Sequence, residues 1–509
     1  MSQSSENSAG YFAARDAKEV IGCVSEHVDR HSTGVNAVAG IGAVWRRNMS
    51  VYYSGLITGD DGSALDFGGT QGELVKVVSN QARSLARQFF SLITKSRLEF
   101  EANAQTTESG VLADARLANA LCKHIVNDQR LDILADRMLE GTILAGSSYL
   151  KPCWRTDRGR KVTRSEGKNV LAGSLEISVH HPVDVTFDLS VENSRDRDWA
   201  VVRTMKNKWD LAAQLPAMKD AIENLPAPRD DQFLVSTARQ SEDMCFVYEF
   251  YHRSTVSMPE GRLLVYGNAE TVFYDKANPY IDQDGEAFIP LAECKPEPIV
   301  GTPWGYSFFN DLVPLQEMLD ASMSTAASNV SAYGLGTMLN PEGNGLSVRD
   351  IGGLKFLNYK PAGATGGGKP EALQLPSTPA EVYRFSETIK SNMMEISGIN
   401  ATLRGAPPAN VTSGAMAATL SANAVEFAAP FAKAYHLALE QTLQMSLLIY
   451  KRFATVPQVI SVAGKKSEAI VKEFVGSDLG NLGRVQLRTR NAASSTTAGV
   501  SDQADHGKI

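Results

Sequence analysis

Apolar residues recur at spacings of three and four over the first 145 positions, switch to short alternating runs in the middle third, and return to helical spacing after residue 307. Segments 13–30 and 35–51 fit short helices. Across 70–100, Leu74, Val77, Val78, Ala82, Leu85, Phe89 and Leu92 predict one long helix. Leu117, Leu121, Ile125, Leu131, Leu134 and Met138 extend the same pattern over 111–144. From Gly146 the runs 148–154, 175–181, 199–204, 244–251 and 263–266 are β-rich and separated by turn residues, so a mixed, mostly antiparallel β region is expected there, interrupted by one helix over 209–225.

Pro296, Pro298 and Pro303, with Gly301-Thr-Pro-Trp-Gly-Tyr306, end that region. Leu312, Leu315 and Leu319 then share a helical face from Phe308 onward, with Pro314 either opening the helix or kinking it. The stretch from Leu315 to Tyr333 spans roughly 28 Å as helix, and its Ser, Ala and Asn content suits close helix neighbours or water. Segment 334–375 carries turn signals and a strand at 354–357. Thr378-Pro-Ala-Glu381 is a capping box with proline at the first helical position. Val382, Phe385, Ile389, Met393 and Ile396 mark one apolar face of the helix that follows, and Gly398 ends it. After the polar loop 400–414, one helix of about 40 residues is expected over 413–453, kinked at Pro430. Runs 459–462 and 485–488 read as strands. Two helices bracketing a small β insert are expected to lie side by side, with the insert at their tip.

The 509 residues suffice for roughly two to four domains, and 43% apolar with 21% charged residues is ordinary for a folded soluble protein. A net charge of -7 argues against tight binding of nucleic acid by phosphate neutralisation, yet suits a surface along which phosphates slide. Cys23, Cys122, Cys153, Cys245 and Cys294 are scattered without a CxxC pair, pointing to a reducing compartment and away from a disulfide frame or zinc site. The polar N-terminus is no signal peptide, and no run of 18 apolar residues predicts a membrane helix, so synthesis in the cytosol is expected.

Candidate chemistry is sparse. Gly363-Ala-Thr-Gly-Gly-Gly-Lys-Pro370 has the spacing of a phosphate loop, but Pro370 stands where a magnesium-ligating Ser or Thr is required, and no helix follows. Gly464-Lys-Lys-Ser467 lacks the upstream glycine. His180 and His181, near Asp184 and Asp188, sit next to each other on a predicted strand and so face opposite sides, which opposes one shared metal ion. His124 and His252 are isolated, and no nucleophile motif is present, so neither catalysis nor a cofactor is expected. On the paired helices, the first carries three acids (Asp311, Glu317, Asp320) and no Lys or Arg of its own, and on the second Glu381, Glu387 and Glu395 outnumber Arg384 and Lys390. These are either solvated faces or a net acidic lining whose few bases touch a passing duplex; Glu387 and Lys390 are also spaced to pair with each other. Arg404 is the best placed loop cation, with Asn410 beside it, while Thr412 or Ser413 can cap the long helix.

The Pro-Trp-Gly turn running into Leu315-Gln316 and Leu319-Asp320, the helix ending Met394-Glu-Ile-Ser-Gly-Ile-Asn400, and Leu403-Arg-Gly followed by Thr412-Ser-Gly-Ala before a long helix together resemble the portal proteins of tailed bacteriophages, the short-tailed type above all. The resemblance covers about residues 70–490 and rests more on the order of elements than on any one motif.

It implies an α+β portal fold and a homo-oligomeric ring, usually of twelve subunits, at one capsid vertex of the virion after assembly in the host cytoplasm. Residues 1–12 would be disordered and 13–307 a wing, helical over 13–145 and β-rich over 146–307. Stem helices at 308–333 and 378–398 would flank a clip at 334–377. A tunnel loop at 399–414, a helix toward the crown at 415–453, a β segment returning to the wing at 454–490 and a flexible tail or short crown at 491–509 complete the partition. Double-stranded DNA would pass Arg404, Asn410, Arg384, Lys390, Glu387, Asp320 and Glu317. The clip, through Arg349, Lys355, Lys360 and Lys369, would meet the terminase large subunit and later the tail adaptors; capsid and scaffolding proteins are further implied partners, without membrane insertion. The alternatives are a non-conducting head or tail scaffold, or a nucleotide-binding enzyme using the 363–369 loop.

Overall fold

The computed structural model describes residues 10–36, 40–55, 75–95, 97–102, 109–163, 169–228, 242–333, 337–342, 355–360, 369, 371–372, 380–399, 414–463, 469–480 and 485–490. Its fold mixes α and β. The described helices are α1 (Ala17–Asn36), α2 (Ile41–Ser54), α3 (Gln81–Thr94), α4 (Ser109–Asp128), α5 (Leu131–Ala145), α6 (Lys208–Gln214), α7 (Lys219–Glu223), α8 (Phe309–Tyr333), α9 (Ala380–Ile396) and α10 (Gly414–Phe453). The strands are β1 (Arg97–Ala102), β2 (Ser148–Arg155), β3 (Lys161–Thr163), β4 (Asn169–Leu171), β5 (Ser174–His180), β6 (Val185–Phe187), β7 (Trp199–Asn207), β8 (Met244–His252), β9 (Arg262–Asn268), β10 (Thr271–Lys276), β11 (Ala292–Cys294), β12 (Thr337–Pro341), β13 (Lys355–Tyr359), β14 (Glu371–Ala372), β15 (Gln458–Ala463), β16 (Ala469–Phe474) and β17 (Val485–Arg490).

The chain forms two compact units, one of residues 1–46, 89–308 and 425–509, the other of 47–88 and 309–424. The first holds an antiparallel five-stranded sheet ordered β10-β9-β8-β7-β6, a three-stranded sheet β11-β2-β5, and the pairs β3-β4, β15-β16 and β1-β17. One face of the large sheet buries Trp199, Val201, Phe250, Leu264 and Tyr266 against Ala13 and the Val20, Ile21, Val24 stripe of α1. Spacings of one and three on α1 put those residues on a single face, and each large side chain so buried contributes about 1.5–3 kcal/mol. A second cluster joins Phe89, Phe308 and Phe431, with ring centroids 4.6 Å (Phe89–Phe308) and 5.0 Å (Phe89–Phe431) apart.

Two expected helices are broken. The run expected over 111–144 divides into α4 and α5 at Arg130, which adopts left-handed backbone (φ 47°) and turns the chain. At the other end of α5, Gly146 has φ 78°, and a Cβ there would overlap the Gly305 carbonyl. A Cβ on Gly305 would in turn overlap the carbonyl of Gly146. The Pro-Trp-Gly turn thus packs backbone to backbone on the end of α5, a closeness only paired glycines allow. The single helix expected over 209–225 is instead α6 and α7 around a 3-10 turn at Pro216–Met218, where the proline stops α6.

The segment expected as one helix over 70–100 is the larger correction. Residues 75–80 are not helical, α3 starts only at Gln81, and β1 follows at Arg97. Val75, Val77 and Val78 are β-branched and lose rotamer freedom in a helix, so an alternative backbone partner wins. That partner is α8, in the second unit.

Pro314 lies inside α8 and Pro430 inside α10, neither opening its helix. Both sit on exposed faces, where water can serve the carbonyl each leaves without its helical partner. Among the described residues, no helix is long and apolar enough to cross a membrane.

Candidate functional site

The second unit is built on α8 and α9, which pack side by side, with the strands β13-β12-β14 coming from the chain between them. β12 pairs parallel with β13, from Thr337 opposite Lys355 to Pro341 opposite Tyr359, and antiparallel with β14. Between the helices Ser322 Oγ and Ser386 Oγ are 2.8 Å apart, and the small side chains of Ser322, Ser386 and Ala326 suit close backbone approach.

The other side of α8 carries a row at steps of four: Gln316, Asp320, Ser324 and Ser328, each less than a tenth exposed. Each side chain accepts from an alternate amide of the strap 75–82. Ser328 Oγ takes the Val75 N–H (2.6 Å), Ser324 Oγ that of Val77 (3.0 Å), Asp320 Oδ1 that of Ser79 (2.9 Å) and Gln316 Oε1 that of Gln81 (2.9 Å). Gln316 Oε1 also takes the Ala82 amide, and its Nε2 donates to the Ser79 carbonyl (2.8 Å) and to Asp320 Oδ1 (2.9 Å). Two residues of extended chain rise roughly 6.6 Å and four of helix about 6.0 Å, so the two repeats stay in step over four rungs. The helix side chains thereby stand in for a neighbouring β-strand.

Asp320 therefore does not sit on a solvated acidic face as the sequence suggested: it is 1% exposed and holds the strap. Burial pushes its carboxyl above the usual aspartate range, while the Ser79 amide and Gln316 pull it back. Of the remaining channel candidates, Glu317 is half-buried on α8 and Arg384 is exposed on α9. Lys390 donates to Glu387 Oε1 at 2.9 Å, the pairing their spacing allowed. Lys360 is 84% exposed and 3.6 Å from Glu342, Lys369 is exposed, and Lys355 starts β13. Arg349, Arg404 and Asn410 lie outside the described residues, as do loop 401–413, residues 363–368 and 370 of the phosphate-like loop, the Gly464-Lys-Lys-Ser467 near-match, and Thr378 and Pro379 of the capping box.

No family model matches this chain, and no curated protein matches it. What the helix pair does has to be read from its own surface. The apolar face expected on α9 is displaced: Ser386, Ile389 and Met393 are buried, but Phe385 is 51%, Tyr383 50% and Ile396 38% exposed. Met318 and Val330 on α8 and Leu357 and Tyr359 on β13 are exposed as well. Such a run of large apolar side chains along both helices and the insert is a surface suited to covering by protein.

His180 ends β5, whereas His181 lies just beyond the strand and precedes the turn at Pro182–Asp184, so the two are not neighbours on one strand as the sequence suggested. His180 Nε2 meets Ser178 Oγ at 2.8 Å, and burial drives its pKa down to about 3. His181 is held low by burial as well, and among the described residues no His, Cys, Asp and Glu group could hold a metal. Nothing at sequence level marks Tyr383 and Phe385 as exposed, since their spacing equally fits a core stripe. The Gln316-Asp320-Ser324-Ser328 row was visible as a polar i, i+4 series, the one signal that could have revealed the strap.

Proposed function

We propose that this chain is a portal protein: one subunit of a ring-shaped channel at a unique capsid vertex, through which double-stranded DNA is packaged and ejected. The observation that carries the reading is the α8–small sheet–α9 unit with apolar side chains exposed along both helices and the insert. A helix pair of this kind, side by side with identical copies, makes a tube wall. Tyr383, Phe385, Met318 and Val330 would be covered by neighbouring subunits, and β12–β14 would form the docking clip for the packaging motor and the tail adaptors.

The chain performs no bond chemistry in this reading; its work is geometry and charge. Asp311, Glu317, Glu381, Glu387 and Glu395 outnumber Arg384 and Lys390 on the helix pair, so duplex phosphates meet weak repulsion with few sticking points. The Asp320 carboxylate contributes to wall stiffness instead, by tying the strap to α8.

Negative-stain images of the purified full chain test the proposal. Rings with a central hole wide enough for duplex DNA are expected; monomers would overturn it, and closed discs would favour a non-conducting scaffold.

A further inference from the structure

Two cavities of about 330 Å³ each lie within the first unit and share a wall that includes Arg195, Asp282, Phe288, Ile289, Leu291 and Glu293. The outer one is also lined by the α10 residues Leu437, Gln441, Met445 and Leu448. The inner one reaches Tyr149, Arg197 and Ala200, all buried.

Arg197 is the unusual element. Its side chain is 4% exposed, and its guanidinium carbon lies 3.5 Å from the centre of the Phe187 ring. Nη1 donates to Glu293 Oε1 at 3.1 Å. Nε and Nη2 are buried with no hydrogen-bond partner among the described residues. Those two N–H groups form the side-on edge of the guanidinium, the parallel pair that matches both oxygens of one carboxylate. Leaving them unmet in the protein interior is costly, on the order of 1–3 kcal/mol for each group.

The pairing at Glu293 points the same way. Glu293 answers Arg197 and also Lys295, 3.5 Å from Oε2, and accepts the Tyr149 hydroxyl at 3.1 Å. Arg197 therefore shares its one carboxylate with Lys295, which also has Glu192 nearby. Arg253 adds nothing, because Asp198 binds it at 2.8 Å. Asp282, Glu286 and Glu440 also line the cavities and oppose a phosphate dianion or a polynucleotide more strongly than a single carboxylate. Phe288, Ile289, Leu291, Leu437, Met445 and Leu448 offer its body an apolar bed.

We propose that these adjoining cavities bind a carboxylate carried on an apolar body, with its two oxygens on the Nε–Nη2 edge of Arg197 and its body against α10. Because both donors are covered, entry requires a small shift of the cavity wall. The carboxylate is either the end of a peptide or a free apolar acid. The site lies wholly in the first unit and does not depend on the channel reading.

Titration calorimetry on the full chain tests it with four probes: 3-phenylpropionate, its amide, acetyl-Leu-Leu-Phe with a free carboxylate, and the same peptide amidated. Each acid is expected to bind at least about tenfold tighter than its amide, the loss expected when a charged bidentate pair is removed. Tighter binding of the peptide acid assigns a peptide end; equal or tighter binding of phenylpropionate assigns a free acid. Arg197→Lys keeps the charge, removes the fork, and should weaken either acid about tenfold. Should that variant fail to fold, Met445→Trp, which fills the outer cavity and leaves Arg197 and Glu293 untouched, should do the same. Acids and amides binding alike, neither acid binding at millimolar concentration, or unchanged affinity in Met445→Trp would each overturn the proposal.

Discussion

The backbone amide of Ser79 donates to Oδ1 of Asp320 across 241 positions of sequence, at 2.9 Å. This bond and its three companions bind a strap of extended chain to the side chains of α8, and they decide what both segments can do.

Gln316 is the busiest rung, accepting from Gln81 and Ala82 while donating to Ser79 and Asp320. Gln316→Ala leaves two amides and a carbonyl without these partners and should destabilise the second unit by about 2–3 kcal/mol. Gln316→Glu should be worse at neutral pH, because it loses the donor and sets a second carboxylate against Asp320. Urea denaturation of both variants checks the order; a Glu variant as stable as wild type would show that the ladder contributes nothing.

Phe385 is half exposed, so Phe385→Asp should change protomer stability by no more than about 0.5 kcal/mol. If neighbouring copies cover that face, the same change places a charge in an apolar interface and should abolish rings, with Tyr383→Asp acting alike. Sedimentation velocity beside a thermal melt separates the two effects. Intact rings in both variants would remove α9 from the subunit interface.

Gly146 and Gly305 face each other so closely that a methyl group on either collides with the other's carbonyl. Gly305→Ala should cost on the order of 3 kcal/mol or more, and Gly146→Ala as much, since its φ of 78° adds strain. An unchanged melting temperature in either variant would contradict this packing.

His31 is buried, its Nε2–H donating to the Pro182 carbonyl at 3.0 Å, and burial lowers its pKa to about 4. The neutral ring is therefore favoured in the folded state, with Arg203 reinforcing the effect. Its contribution is complete above the unfolded pKa of about 6.5 and is lost as pH falls toward 4, a span of roughly 3 kcal/mol. His180, lowered to about 3, acts in the same direction. Denaturation midpoints measured between pH 7 and 4.5 should fall with acid. His31→Gln, which keeps a donor for Pro182 and cannot titrate, should flatten that slope by about one proton.

Local periodicity was enough for α8, α9 and α10 and for β2, β5, β7, β8 and β9, because a helix or strand long enough to bury one face must repeat its apolar residues in step with its own geometry. It failed where a choice rested on a distant partner. Leu74, Val77 and Val78 share spacing with a helix, yet Val75 and Val77 follow the rungs of α8, 253 and 247 positions away. Phe385 and Ile389 fit one apolar stripe equally well, yet Ile389 is buried and Phe385 stands half exposed.

The sequence by itself determined the order of the longer elements from α8 to α10, the stops at Gly146 and Gly398, and the acidic balance of the helix pair, all properties of near neighbours along the chain. Only the tertiary structure decided that Asp320 is a strap anchor and that Arg197 is buried with two N–H groups unmet among the described residues. Burial and hydrogen-bond supply depend on which remote segments meet, and a carboxylate or guanidinium carries no mark of that in its own surroundings along the chain.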